Sequence, residues 1–124
     1  MQFHRVSVVR RMPHPGNGFT QGLIAEWSGQ DSGSVWESTG QYGQSTLRRY
    51  EVGANALLAQ AELPAEFFGE GICRVGDSIW QLTWHERVAL RYGVPGLGQF
   101  HLDAFNRLAK DARGSGGGVG VVGL

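Results

Sequence analysis

The sequence predicts an all-β chain: a β-propeller fragment of about two blades, followed by an irregular or short-helical C-terminal tail. Three observations lead there. First, Phe19-Thr20-Gln21-Gly22-Leu23 returns as Phe68-Gly69-Glu70-Gly71-Ile72, in the form F-x-[Q/E]-G-[L/I], 49 residues later. Second, glycine supplies 20 of 124 residues, about twice the usual ~7% share, which points to many tight turns between short strands. Third, runs of strand length follow one another between turns such as Gly43-Gln44 and Gly76-Asp77, with no helical pattern among them up to Leu102.

The repeat continues in order. Val35-Trp36-Glu37-Ser38-Thr39 matches Ile79-Trp80-Gln81-Leu82-Thr83, and Arg49-Tyr50-Glu51-Val52 matches Arg91-Tyr92-Gly93-Val94. The offset shrinks along the unit, as expected if the loop at 27–34 is longer in the first copy. Strands are expected near 4–11, 20–27, 34–40, 46–52, 57–62, 70–75, 78–84, 87–93 and 97–102. Several strands per unit at a period in the forties fit propeller blades. A plain β-sandwich with chance matches is the alternative, and two matching blocks in the same order favour the propeller. Two blades alone leave edge strands unpaired, whereas propellers use at least about four.

Residues 1–102 therefore read as the partial propeller and residues 103–124 as a tail of another kind. Asp103-Ala104-Phe105-Asn106-Arg107-Leu108-Ala109-Lys110-Asp111-Ala112-Arg113 suits a short helix capped by Asp103, and the glycine-rich end from 114 reads as disordered. The abrupt change of composition is what a truncated or shifted reading frame would give.

Composition narrows the function classes. Lys plus Arg and Asp plus Glu are both 11, without a long basic run, so neither nucleic acid nor an anionic membrane surface is an expected partner. No stretch approaches the ~20 apolar residues of a membrane helix. The start, MQFHRVSVVRRMPHP, lacks a signal-peptide layout, because its apolar run is short and Arg10 and Arg11 follow it. Cys73 is the only cysteine, so an internal disulfide is impossible. His4, His14, His85 and His101 show no helical metal spacing, and no metal or cofactor is expected. Ser38 and Ser45 lie near glycines without a G-x-S-x-G elbow. Gly40-Gln41-Tyr42-Gly43 and Gly69-Glu70-Gly71 lack the lysine and following helix of a phosphate loop.

What remains is a set of aromatic and polar residues at matching places in the two units. The first strand of a propeller blade lines the central channel, so Gln21 and Glu70 would project into one mouth walled by Phe19, Phe68 and Trp84. Packing between blades is the simpler reading for Trp36, Phe67 and Trp80. It suits a lone carboxylate such as Glu70 less well, since burial beside aromatic rings penalises a charge.

These residues carry a resemblance. FTQGL, WESTGQYGQSTLRRYEV, LPAEFFGEGI and GDSIWQLTW, in that order between His14 and Phe100, resemble the plant and bacterial glutamine cyclotransferases. The resemblance implies a five-bladed β-propeller that converts the N-terminal glutamine of a peptide to pyroglutamate with release of ammonia, without a metal. It makes Glu70 the catalytic carboxylate, acting as base and then acid. Phe19, Phe68 and Trp84 would wall the substrate, Gln21 would bond its amide, and Glu37 would bind its α-ammonium. Gly69 and Gly71 would let the substrate backbone come close. Members are often secreted or periplasmic. The family's later EGWGL-type motif and its tryptophan, asparagine and lysine find no equivalents after Phe100. A non-catalytic propeller fragment, serving as a peptide-binding or interaction module or arising from a pseudogene, is the competing reading. A different hydrolase on the same blades would need a nucleophile that the sequence does not offer. Oligomeric state is left open.

Overall fold

The computed structural model describes residues 1–30, 32–54, 56–94 and 106–107. Among these residues eight strands form two four-stranded antiparallel sheets, each ordered as its strands occur in the chain. The first sheet holds β1 (Phe19–Trp27), β2 (Gly33–Gly40), β3 (Thr46–Glu51) and β4 (Leu57–Glu62). The second holds β5 (Gly69–Val75), β6 (Ser78–Thr83), β7 (Ala89–Gly93) and β8 (Asn106–Arg107). The architecture is all-β, two successive blades of a propeller fragment, and the described residues contain no helix.

The register confirms that the sequence repeat is a repeat of blades. Trp36 pairs with Arg49 in the first sheet, and Trp80 with Arg91 in the second. Val35 faces Tyr50 as Ile79 faces Tyr92. Short turns set these registers. Between β5 and β6 the two residues Gly76 and Asp77 reverse the chain, and the φ of +56° at Gly76 favours a residue without a side chain.

The core lies in the seam between the sheets. Trp36, Leu47, Ala61, Leu63 and Phe67 pack with Ile79, Val88, Ala89, Leu90, Tyr92 and Val94, and Ile24, Ile72 and Trp80 pack against them. Each apolar side chain buried here contributes on the order of 1.5–3 kcal/mol. Polar groups in the seam satisfy one another: Gln81 Nε2 donates to Ser38 Oγ at 2.6 Å and to the Thr46 carbonyl at 3.2 Å, and Tyr92 donates to Gln81 Oε1 at 2.7 Å. Burial pushes the Tyr92 phenol far above its ordinary value, so it stays a donor.

Two expectations need correction. Residues 4–11 are not a strand; residues 1–15 have no regular structure, and Phe3, Val6 and Val9 are exposed. A strand needs a ladder partner for its backbone groups, and among the described residues no strand pairs with this segment. Asn106 and Arg107, inside the expected helix at 103–113, are extended and pair with Arg91 and Leu90 as the fourth strand of the second blade. An isolated helix of that length is marginal, whereas pairing satisfies the exposed edge of β7. The strand expected at 97–102 and the rest of 103–124 lie outside the described residues.

Candidate active site

The site is built on β1 and β5, the first strands of the two blades, which run against each other. Their approach is close: a Cβ on Gly22 would lie 2.8 Å from the backbone nitrogen of Ile72. Each strand carries a β-bulge at the same place. On β1 the ladder steps from Thr20↔Thr39 to Gly22↔Ser38, leaving Gln21 as the extra residue. On β5 it steps from Gly69↔Thr83 to Ile72↔Gln81, so Glu70 and Gly71 together face Leu82. A bulge releases a residue from the ladder and re-aims its side chain, and bulges are frequent beside active sites. Gln21 and Glu70 are thus brought to equivalent, half-buried positions on neighbouring strands.

Phe68, just before β5, is the hub of a ring cluster. It is 8% exposed and meets Phe19 at 6.3 Å between ring centroids, Tyr42 at 5.4 Å and Trp84 at 5.4 Å. Phe19 and Trp84 are each 54% exposed, so the cluster is anchored at Phe68 and open to solvent at its flanks. Trp84 is tied down by its backbone N–H, which donates to the Phe68 carbonyl at 3.0 Å. The structure therefore brings Phe19, Phe68 and Trp84 together next to the bulge that carries Glu70.

The backbone of Glu70 is fixed while its side chain is not. Ser38 Oγ donates to the Glu70 carbonyl at 2.5 Å, and Ser45 Oγ accepts from the Gly69 N–H at 2.9 Å. Among the described residues no cation and no hydrogen-bond donor holds the Glu70 carboxylate. The Glu70 side chain is thus half-buried on a hydrogen-bonded strand, with no partner of its own among the described residues.

Glu37 is placed differently. Its side chain is fully buried, Arg48 Nε donates to its Oε2 at 2.8 Å, Thr20 donates to its Oε1, and His14 Nε2 lies 3.0 and 3.1 Å from the two oxygens. Burial pushes the Glu37 carboxyl up; the bonds from Arg48, Thr20 and His14, with the Arg48 charge, more than reverse this and leave it below the ordinary value of 4.5. The expected contact with a substrate ammonium is not open here, because the carboxylate is enclosed and already answered by these donors. Gly69 likewise has a reason other than substrate approach: a Cβ there would lie 2.6 Å from the Thr39 carbonyl of the first blade. A Cβ on Gly71 would meet open space.

Sequence reasoning missed two residues at the rim. Tyr42, on the β2–β3 hairpin, donates to Glu86 Oε1 at 2.7 Å, and Glu86, on the β6–β7 hairpin, lies 44 positions away in the chain. The signal for Tyr42 was its place between glycines in Gly40-Gln41-Tyr42-Gly43; nothing in the sequence marks Glu86. A separate open cleft of about 690 Å³ lies at the opposite end of β1 and β2, lined by Trp27, Ser34, Arg49 and Leu58 among others. Its Glu26 is already met by Arg74 and, at 3.6 Å, by Arg49.

Comparison with known proteins gives the family. Residues 1–107 match the family model for glutamine cyclotransferase, a stretch that contains both blades and all the candidate residues. Over 113 residues the chain is 28% identical to a glutaminyl-peptide cyclotransferase of Arabidopsis thaliana, covering 91% of this chain and 33% of that protein. The chain thus spans about a third of the length of that curated relative. A family-model match over residues 1–107 makes this chain a member of the glutamine cyclotransferase family.

Proposed function

We propose that the chain is the portion of a glutaminyl-peptide cyclotransferase that carries the catalytic carboxylate, Glu70. The observation that supports this best is that carboxylate itself, without a partner among the described residues and carried on the β5 bulge two positions after Phe68. The substrate is a peptide or protein with N-terminal glutamine. Its α-amine nitrogen attacks the γ-amide carbon, a C–N bond closes the five-membered lactam, and the original C–NH₂ bond breaks to release ammonia.

Glu70 takes a proton from the α-ammonium, which frees the attacking lone pair. It then gives a proton to the departing nitrogen, so that ammonia rather than amide anion leaves, and recovers one from the ring nitrogen. General acid–base catalysis of this kind is worth about 10²–10⁴-fold. Phe19, Phe68 and Trp84 hold the apolar part of the glutaminyl chain folded, so that nitrogen and carbon meet at attack distance. Gln21, at the equivalent bulge, bonds the side-chain amide. Glu37 acts one layer back in this reading, fixing Thr20 and Arg48 behind the β1 bulge.

The test is ammonia release from Gln-Ala-Ala-amide by the wild-type chain and by Glu70→Gln. Turnover by the wild type and a loss of at least about 10²-fold in the variant is the expected result. Binding of the peptide without turnover by the wild type would replace this reading with that of a peptide-binding module.

A further inference from the structure

We propose that Glu86 makes this site prefer peptides with a basic residue, Lys or Arg, directly after the N-terminal glutamine; the inference rests on the cyclotransferase reading above. Glu86 stands at the rim of the ring cluster, on the opposite hairpin from Tyr42. Its Oε1 accepts from the Tyr42 hydroxyl at 2.7 Å, and its Oε2 lies 3.5 Å from the Phe68 N–H. The carboxylate is thereby held from both blades, in register with the ring that walls the glutaminyl side chain. Among the described residues no Arg, Lys or His forms an ion pair with it, its chain neighbours His85 and Arg87 included, in contrast to Glu26 and Glu37.

Its charge is felt locally. The hydrogen bond to Glu86, together with loss of water and the Glu86 charge, raises the Tyr42 phenol above its ordinary value. Two donors leave lone pairs on both oxygens for a further cation. The surrounding rings add to this, since Tyr42 is 49% exposed and Trp84 54% exposed. An anion set among exposed aromatic faces is how ammonium and guanidinium groups are recognised, by Coulomb attraction and by the ring quadrupole. A glutamine folded against Phe68 puts the next residue about 3.8 Å further along the chain, over this rim.

The experiment compares Gln-Lys-Ala-amide, Gln-Ala-Ala-amide and Gln-Glu-Ala-amide with the wild-type chain, Glu86→Gln and Glu86→Lys. Glu86→Gln keeps an acceptor for Tyr42 and removes only the charge. Two readouts are taken, kcat/KM for ammonia release and Kd by calorimetry. The wild type should favour the lysine peptide over the glutamate peptide by about five-fold at low salt, the scale of an exposed ion pair, and less at high salt. Glu86→Gln should bring the ratio near one, and Glu86→Lys should invert it. A ratio unchanged by Glu86→Gln, in turnover or in Kd, overturns the inference while leaving the cyclotransferase reading intact. A lysine preference in Kd that Glu86→Gln removes, without turnover of any peptide, upholds the selectivity and overturns the cyclotransferase reading. Failure of all three peptides to bind overturns both.

Discussion

The two blades place the same framework around different interiors. Trp36 lies under the Arg49 guanidinium at 5.2 Å, and Trp80 under that of Arg91 at 5.9 Å. The same arginines are clamped by serine: Arg49 Nε donates to Ser34 Oγ at 3.1 Å, and Arg91 Nε to Ser78 Oγ at 2.9 Å. One register position further along β2 and β6 the likeness ends. The first blade pairs Glu37 with Arg48, and the second pairs Gln81 with Leu90. Gln81 and Leu90 look into the seam against the first blade, where neutral groups can be satisfied by Ser38 and Tyr92 without carrying a charge out of water. Glu37 and Arg48 look the other way, toward the segment that carries His14. The difference teaches that what covers a blade face decides its chemistry, while the strand framework is indifferent.

Breaking the charged pair from one side gives the largest expected effect. Arg48→Leu copies the second blade's residue at this position but leaves Glu37 buried and short of its main partner. A loss of about 3–5 kcal/mol is expected, read as a lower midpoint in urea unfolding. Copying both residues, Glu37→Gln with Arg48→Leu, removes the buried charge as well. The double variant should recover most of that loss, because well-packed neutral replacements of a buried ion pair are often neutral or better. A double variant as unstable as Arg48→Leu would mean that the two blades differ in framework after all.

A smaller effect separates two glycines of the second blade. Gly69→Ala drives a methyl group into the Thr39 carbonyl, and should cost about 1–3 kcal/mol as overpacking. Gly71→Ala meets open space and should stay within about 0.5 kcal/mol. Equal effects in unfolding would remove the argument that the seam, rather than the mouth, fixes Gly69.

How much of this the sequence disclosed follows from how far apart the interacting residues lie. The blade repeat was legible because Trp36, Arg49 and Tyr50 recur as Trp80, Arg91 and Tyr92 with strand periodicity, a local property. The ring cluster was legible through Phe19, Phe68 and Trp84, which sit on motifs. The bulges were not, since a bulge exists only relative to a partner strand. Nor was the enclosure of Glu37, which depends on His14 passing over a face 23 positions away. The Tyr42–Glu86 bond joins tips of two hairpins whose facing is set by the packing of one blade on the next. The strand expected at 4–11 failed for the related reason that β-pattern alone does not supply a partner.

The smallest effect is a pH dependence that should distinguish the blades. Glu37 is held below its ordinary value of 4.5 in the folded chain, so folding favours its ionised form. The unfolded state then binds more protons than the folded state as pH falls through that value, and stability declines with acid. The contribution is complete above about pH 5 and is lost progressively as pH drops through the lowered folded value. In Glu37→Gln this part of the acid slope should vanish, so that the variant's urea midpoint between pH 5 and pH 3 falls less steeply than that of the wild type. Gln81→Glu places a carboxylate at the corresponding position of the second blade, where Leu90 supplies no cation. There desolvation dominates and the carboxyl is pushed up, so that variant should gain stability as pH falls from 7 to 5, opposite in sign to Glu37. A Gln81→Glu chain whose acid slope matches the wild type would show that the seam lets water reach position 81, and the contrast between the blades would then rest on packing rather than on charge.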